Sequence, residues 1–310
     1  MSEISSGTMS PASPAARPGI LKMIALSILF LVLVLVFSIA KIPESRVTAL
    51  VQGQVQSALD PYDIYLTDRG RSLSFLTGIR YRLDHPALEM ADQTRIELDD
   101  LEVRPKLMSL LTGRAGAKAT LHQGNAEMTL DAAASRDKVN ADIELKDIDL
   151  GRFGVLGFAG VKGAGLVSGK ITLDGGVNDL ASFNGLIDLK LKKIRLDEQS
   201  IMGFKLPEAV IGEGTLLIEI KNGKLVMKSV QLGRQSDDLS ATLTGDLTLN
   251  RNLNASALNL RAVFSLSGKL KSALSMLEGL IAAAKQADGR YAYKMTGILG
   301  QPDVNPDPKQ

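Results

Sequence analysis

Few side chains in this chain could do chemistry, and their spacing serves it poorly. There is no cysteine, and there are two histidines, His85 and His122. Thiol catalysis, Cys-ligated zinc, iron–sulfur clusters and a multi-histidine metal site are excluded together. His85 precedes Pro86 and His122 precedes Gln123-Gly124, so both are expected as exposed turn residues. The acidic pairs Asp99-Asp100 and Asp237-Asp238 have the charge for calcium. Each lacks the surrounding oxygen ligands of a loop site, so solvated turns are expected. Gly163-Ala-Gly165-Leu-Val-Ser168-Gly169-Lys170 has the glycine content of a phosphate loop. It fails because the first loop glycine falls on Ala164 and Ile171 stands where a hydroxyl must bind magnesium. Gly163-x-Gly165-x-x-Ser168 also misses the third glycine of a dinucleotide fingerprint. A glycine-rich turn leading into a strand is the expectation. No catalytic residue, metal ligand set or cofactor is expected.

The composition points the same way. Thirty-six Lys+Arg face 34 Asp+Glu, a net charge of +2, too neutral for a nucleic-acid partner. Hydrophobic residues are 45% of the chain but aromatics only 4%, so the apolar content is aliphatic. A length of 310 residues leaves room for one large domain or two ordinary ones.

The elements that would position any site begin with a membrane segment. Met23–Ala40 reads MIALSILFLVLVLVFSIA, with only Ser27 and Ser38 polar. With Ile20 and Leu21 ahead of Lys22 it approaches the roughly 20 residues a helix needs to cross a bilayer. It is longer than a signal-peptide core of about 7–15 residues, and Ala40-Lys41-Ile42-Pro43 is a poor cleavage site. An uncleaved helix over 20–41 is expected, after a disordered cytoplasmic tail over 1–19. Lys and Arg number two on each flank, so orientation rests on the tail's shortness and places the large part in the periplasm.

Beyond the span the grammar is that of strands. From Leu239 to Asn250 the odd positions are apolar apart from Gly245, and the even ones are polar. The next run places Leu258, Leu260, Ala262, Phe264 and Leu266 on one side, and Asn250–Asn254 supplies the turn of a hairpin. Similar runs are expected at 62–66, 79–83, 95–103, 117–121, 126–130, 139–148, 169–173, 185–191, 214–220 and 223–225. The total is roughly twelve to fourteen antiparallel strands. Helices are expected at Val47–Leu59, at Lys269–Ala287 and as a single turn at Lys106–Thr112. So many one-sided strands with so few helices leave apolar faces to cover. Either the sheet folds into a sandwich or part of its dry face is an open groove. The candidate apolar groove is Leu239, Leu243, Leu247, Leu249, Leu258, Leu260, Phe264 and Leu266.

The order of several short motifs resembles a known family. Ile96-Glu-Leu98-Asp-Asp-Leu101-Glu-Val103-Arg-Pro105 is followed by Leu107-Met-Ser-Leu110-Leu111-Thr-Gly113 and Ala117-Lys-Ala-Thr-Leu121-His-Gln-Gly124. Phe204-Lys-Leu206-Pro207, the Leu239–Leu249 run and Tyr293-Lys-Met-Thr-Gly297-Ile-Leu-Gly300-Gln-Pro302 complete the series. This succession, over residues 20 to 303, resembles AsmA-like proteins and protein N of the type II secretion system (GspN). The resemblance implies a mainly β periplasmic domain over 42–303, with a flexible tail over 304–310. It also implies a non-enzymatic, single-pass inner-membrane component of a Gram-negative bacterium that docks onto other type II secretion proteins. The alternative it implies is a lipid-handling protein that holds phospholipid or other acyl chains in an apolar β-groove.

Overall fold

Period-two alternation becomes strand wherever it occurs in the described residues, because only an extended backbone puts alternate side chains on opposite faces. The computed structural model describes residues 60, 64–74, 80–90, 95–106, 108–109, 113–153, 156, 161–176, 179–201, 204–275 and 281–307. The first strands are β1 (Ile64–Thr67), β2 (Gly70–Ser74), β3 (Arg80–Asp84), β4 (Ala87–Met90), β5 (Arg95–Glu97) and β6 (Asp100–Pro105). Longer strands follow: β7 (Ala115–Gln123), β8 (Ala126–Ala134), β9 (Lys138–Asp149), β10 (Gly163–Gly176) and β11 (Asp179–Leu196). After the short hairpin β12 (Gln199–Ile201) and β13 (Phe204–Leu206) come β14 (Ala209–Lys221), β15 (Lys224–Leu232) and β16 (Leu239–Thr248). The chain ends in β17 (Ala257–Leu266), β18 (Tyr291–Ile298) and β19 (Gln301–Pro306).

Fourteen of these strands form one sheet, in the order β2-β3-β6-β7-β8-β9-β10-β11-β14-β15-β16-β17-β18-β19. Every neighbouring pair is antiparallel, so the sheet is a meander with two excursions. One excursion is the three-stranded sheet β1-β4-β5, the other the β12-β13 hairpin. Neither end strand closes onto the other, so among the described residues the sheet is open rather than a sandwich or barrel.

Several expectations need correction. The single strand expected over 95–103 is two, belonging to different sheets. The chain breaks at Leu98-Asp99, where the Leu98 N–H donates to Pro86 O and the Asp99 N–H to His122 O. Of the helix expected over Lys269–Ala287, Gly268–Ala273 (α1) is helical, with Ser267 accepting the Leu270 N–H at its start and Leu274 capping its end. Residues 276–280 lie outside the described ones, Ile281 and Ala282 are helical, and Ala283 and Ala284 are in a turn. The single helical turn expected at 106–112 is present where it is described, at Met108 and Ser109. The tail expected from Val304 is instead strand as far as Pro306, because β18 offers it a free edge. The span at 20–41, the tail at 1–19 and the helix at Val47–Leu59 lie outside the described residues. Among the described residues no helix is long and apolar enough to cross a membrane.

Buried residues concentrate at β17, β18 and the segment between them, where Leu258, Leu260, Val263, Leu270, Tyr291 and Ala292 are buried, and at two further places. One is the apolar face of β3 to β8, with Val103 1%, Ala117 0% and Leu130 5% exposed. The other is a plug at one end of the sheet, built from Ala126, Ile148, Leu150, Val167, Ile194 and Ile211. Phe153 and Leu156, from the link between β9 and β10, pack against that plug.

Candidate functional site: an apolar sheet face

Cross-strand partners in an antiparallel sheet share a face, so the register defines the site. On β3 to β9 one row runs Tyr81, Val103, Ala119, Leu130, Ile143. It continues through Ile171, Ile187, Ile218, Met227, Gly245 and Leu260 to Met295 and Val304 at the far edge. The parallel row two residues away runs Leu83, Leu101, Leu121, Met128, Leu145, Gly169, Leu189. It goes on through Leu216, Val230, Leu243, Ala262 and Tyr293. Neither row contains a polar side chain apart from the tyrosine hydroxyls. The opposite face, read across Arg82, Glu102, Thr120, Thr129, Glu144, Lys170 and Asp188, is charged and polar. At about 4.8 Å per strand, the apolar face extends on the order of 60 Å across the sheet.

The cover on this face changes along it. On β3, β6, β7 and β8 the row residues are buried, apart from Met128. From β9 to β16 the same rows, Ile, Leu, Val and Met apart from Gly169 and Gly245, are only half-buried. Aliphatic side chains left partly exposed over six consecutive strands of the sheet form an apolar surface larger than a folded monomer usually leaves open.

The eight residues expected to line a groove are mostly placed together. Leu239 faces Leu266, Leu247 faces Leu258, Leu243 faces Ala262, Leu260 faces Gly245 and Phe264 faces Ala241. Seven of the eight therefore share the apolar face of β16 and β17. Leu249 lies beyond the end of β16, its N–H donating to Gly223 O. Leu258 and Leu260 are buried, the others half-buried. Phe264 stacks on Tyr291 and Tyr293, with ring centroids 5.5 and 6.1 Å apart, an aromatic patch that the low aromatic content concealed.

Glycines on this face mark close approaches between strands. Gly245 has φ +112°, and a Cβ there would lie 2.1 Å from Asn259 O. Gly169, expected to open a strand, lies well inside β10 with φ +146°, 2.1 Å from Asp188 O by the same measure. The whole glycine-rich segment Gly163–Lys170 is strand, and a Cβ at Gly165 would meet Ile194 Cδ1 at 2.2 Å. Its glycines let β10 pass close to β11.

The polar candidates have structural partners. His122 is not a turn residue: it lies in the last two residues of β7, half-buried, with Nδ1 2.8 Å from Asp100 Oδ1. Arg82 donates to the other oxygen of Asp100 at 2.8 Å. His85 is exposed in the link between β3 and β4, with φ +48°, and its N–H donates to Asp99 O. Asp99 accepts the Gly124 N–H, and Asp237 accepts the Arg234 N–H at 2.7 Å. Asp238 accepts the Val210 N–H at 3.0 Å and the Ser267 Oγ–H at 2.8 Å. These two bonds hold its carboxyl below the ordinary carboxylate range. Both acidic pairs are thus strand and helix ties. Burial pushes the Tyr81 phenol up, on the sealed part of the apolar face. Among the described residues no three or more His, Asp or Glu side chains group as a metal site would require.

No family model, curated protein or solved structure matches this chain.

Proposed function

We propose that this protein holds acyl chains against the half-buried apolar face of β9 to β16. The observation that carries the reading is the register across those strands, aliphatic but for Gly169 and Gly245, which among the described residues lacks the burial that β3 to β8 possess. Burying methylenes there would gain roughly 0.8 kcal/mol each, with no polar group on the face to desolvate. In this reading the apolar run at 20–41 anchors the chain in the inner membrane, with the sheet on the periplasmic side. The rest of the face needs no catalytic group.

The second reading is docking onto other type II secretion proteins, and the sheet edges favour it. At β19 the Asp307 N–H donates to Ala292 O, which turns the even-numbered positions outward. Two of those are Pro302 and Pro306, which lack the N–H that an added strand would need. β2 has no such protection and pairs only with β3 among the described residues, so it suits strand addition by a partner.

Extracted lipid from the purified full chain and from Leu247→Asp separates the two. The acyl-chain reading expects lipid in the first and loss of most of it in the second. A charge on a half-open face should lower stability by only about 1–2 kcal/mol. A wild-type chain that purifies without lipid, with Leu247→Asp strongly destabilised, removes the reading and leaves docking.

A further inference from the structure

We propose that Lys190, Lys192 and Lys193, on the polar face of β11, form a docking strip for the anionic headgroups of a bilayer. The strip goes beyond the acyl-chain reading and does not rest on it, since it lies on the opposite face. Strict alternation would not align these lysines. β11 carries one more residue than either neighbour at this point. Lys192 pairs with Leu166 and Arg195 with Ala164, while Leu191 pairs with Gly214 and Ile194 with Gly212. The extra residue is accommodated at Lys193, whose φ of +53° is a conformation that residues with a Cβ adopt at a cost. The resulting bulge leaves Lys192 and Lys193 both exposed, yet keeps Leu191 half-buried and Ile194 buried.

The charge here is uncompensated. Three other lysines of the polar face meet carboxylates: Lys170 with Asp142 at 3.6 Å, Lys224 with Asp246 at 3.2 Å and Lys228 with Glu219 at 2.9 Å. Lys190 instead lies between Ser168 and Thr215, and Lys192 beside Leu166. Among the described residues none of the three strip lysines forms an ion pair. Several of the acids nearby are otherwise engaged. Glu213 pairs with Arg234, and Asp197 and Glu208 with Arg195. Asp147 accepts from the Ser168 hydroxyl, while Asp188, two residues from Lys190, faces Lys170, whose ammonium pairs with Asp142.

Three compact ammonium groups in line suit diffuse headgroup charge better than the planar, bidentate recognition that arginine provides. Exposed aliphatics flank them, Leu186 at 41% and Val210 at 49%, as a surface entering the headgroup layer requires. The test uses the full chain in nanodiscs of phosphatidylcholine, with or without about 30% phosphatidylglycerol, and reads lysine acetylation rates by mass spectrometry. Anionic discs should slow Lys190, Lys192 and Lys193 by about fivefold and leave Lys118 and Lys224 unchanged, with the protection lost at high salt. In Lys193→Gly, which keeps the bulge and removes one charge, protection of Lys190 and Lys192 should fall about twofold. Equal rates in the two kinds of disc overturn the proposal. So does protection by an added polyglutamate peptide but not by phosphatidylglycerol, which would assign the strip to an acidic protein.

Discussion

The β3–β8 and β9–β16 parts of the sheet present the same register rows and similar aliphatic side chains, but different exposure. Val103 and Leu130 lie in the same row as Ile187, yet the first two are buried and the third is half-buried. The difference begins where β3 turns into β4 at Pro86 and β5 into β6 at Leu98. There Pro86, Ala87, Ile96, Leu98 and Leu101 are all buried. A strand that bends out of its sheet brings its own apolar residues back over the fold. A strand that continues straight leaves its face for something else to cover. From β9 onward the long strands carry bulges but stay within the sheet, and their rows remain half-buried.

Matched substitutions give the most severe test of that contrast. Val103→Asp places a carboxylate where no water reaches and should cost about 4 kcal/mol or more, enough to abolish cooperative thermal unfolding. Ile187→Asp, in the same row, should cost about 1–2 kcal/mol, because one side of its site is already wet. Equal losses would mean the β9–β16 face is covered after all. A gentler version uses truncation. Leu130→Ala should lose about 3 kcal/mol in urea denaturation and Leu189→Ala about 1, since a cavity term arises only where packing surrounds the side chain. The smallest effect concerns the tie at the plugged end of the sheet. Asp238 titrates below its ordinary value of 3.8 because the Val210 N–H and the Ser267 hydroxyl donate to its carboxylate. A depressed folded-state value contributes stability that is complete above 3.8 and is lost as pH falls through the folded value. Between neutral and strongly acidic pH, Asp238→Asn should therefore lose less stability than the wild type. Parallel pH curves for the two proteins would show that the tie contributes nothing.

Much of this was legible in the residues. Alternation from Leu239 to Thr248 and from Ala257 to Leu266 specifies two strands, and the Asn-rich link specifies their pairing. Seven of the eight expected groove residues accordingly share one face. Side-chain parity is a local property, so a local pattern suffices to assign it. What was misread depended on contacts between distant segments. His122 has the look of a turn residue until Asp100, on the neighbouring strand, draws it into a pair. The glycines of Gly163–Lys170 suggest a turn until β11 is seen to approach β10 closely. Val304–Pro306 reads as a tail until β18 provides an edge to pair with.

Composition, one-sided strands and the absence of a catalytic motif are matters of sequence alone. A single chain segment carries its own periodicity and its own functional groups, whatever packs against it. How the strands assemble and how far their dry face is covered belong to tertiary structure. Joining strands into one open sheet of fourteen, sealing its rows at β3–β8 and leaving them half-open at β9–β16 depend on which distant backbones meet. Burial is a property of those meetings, and no residue carries it by itself.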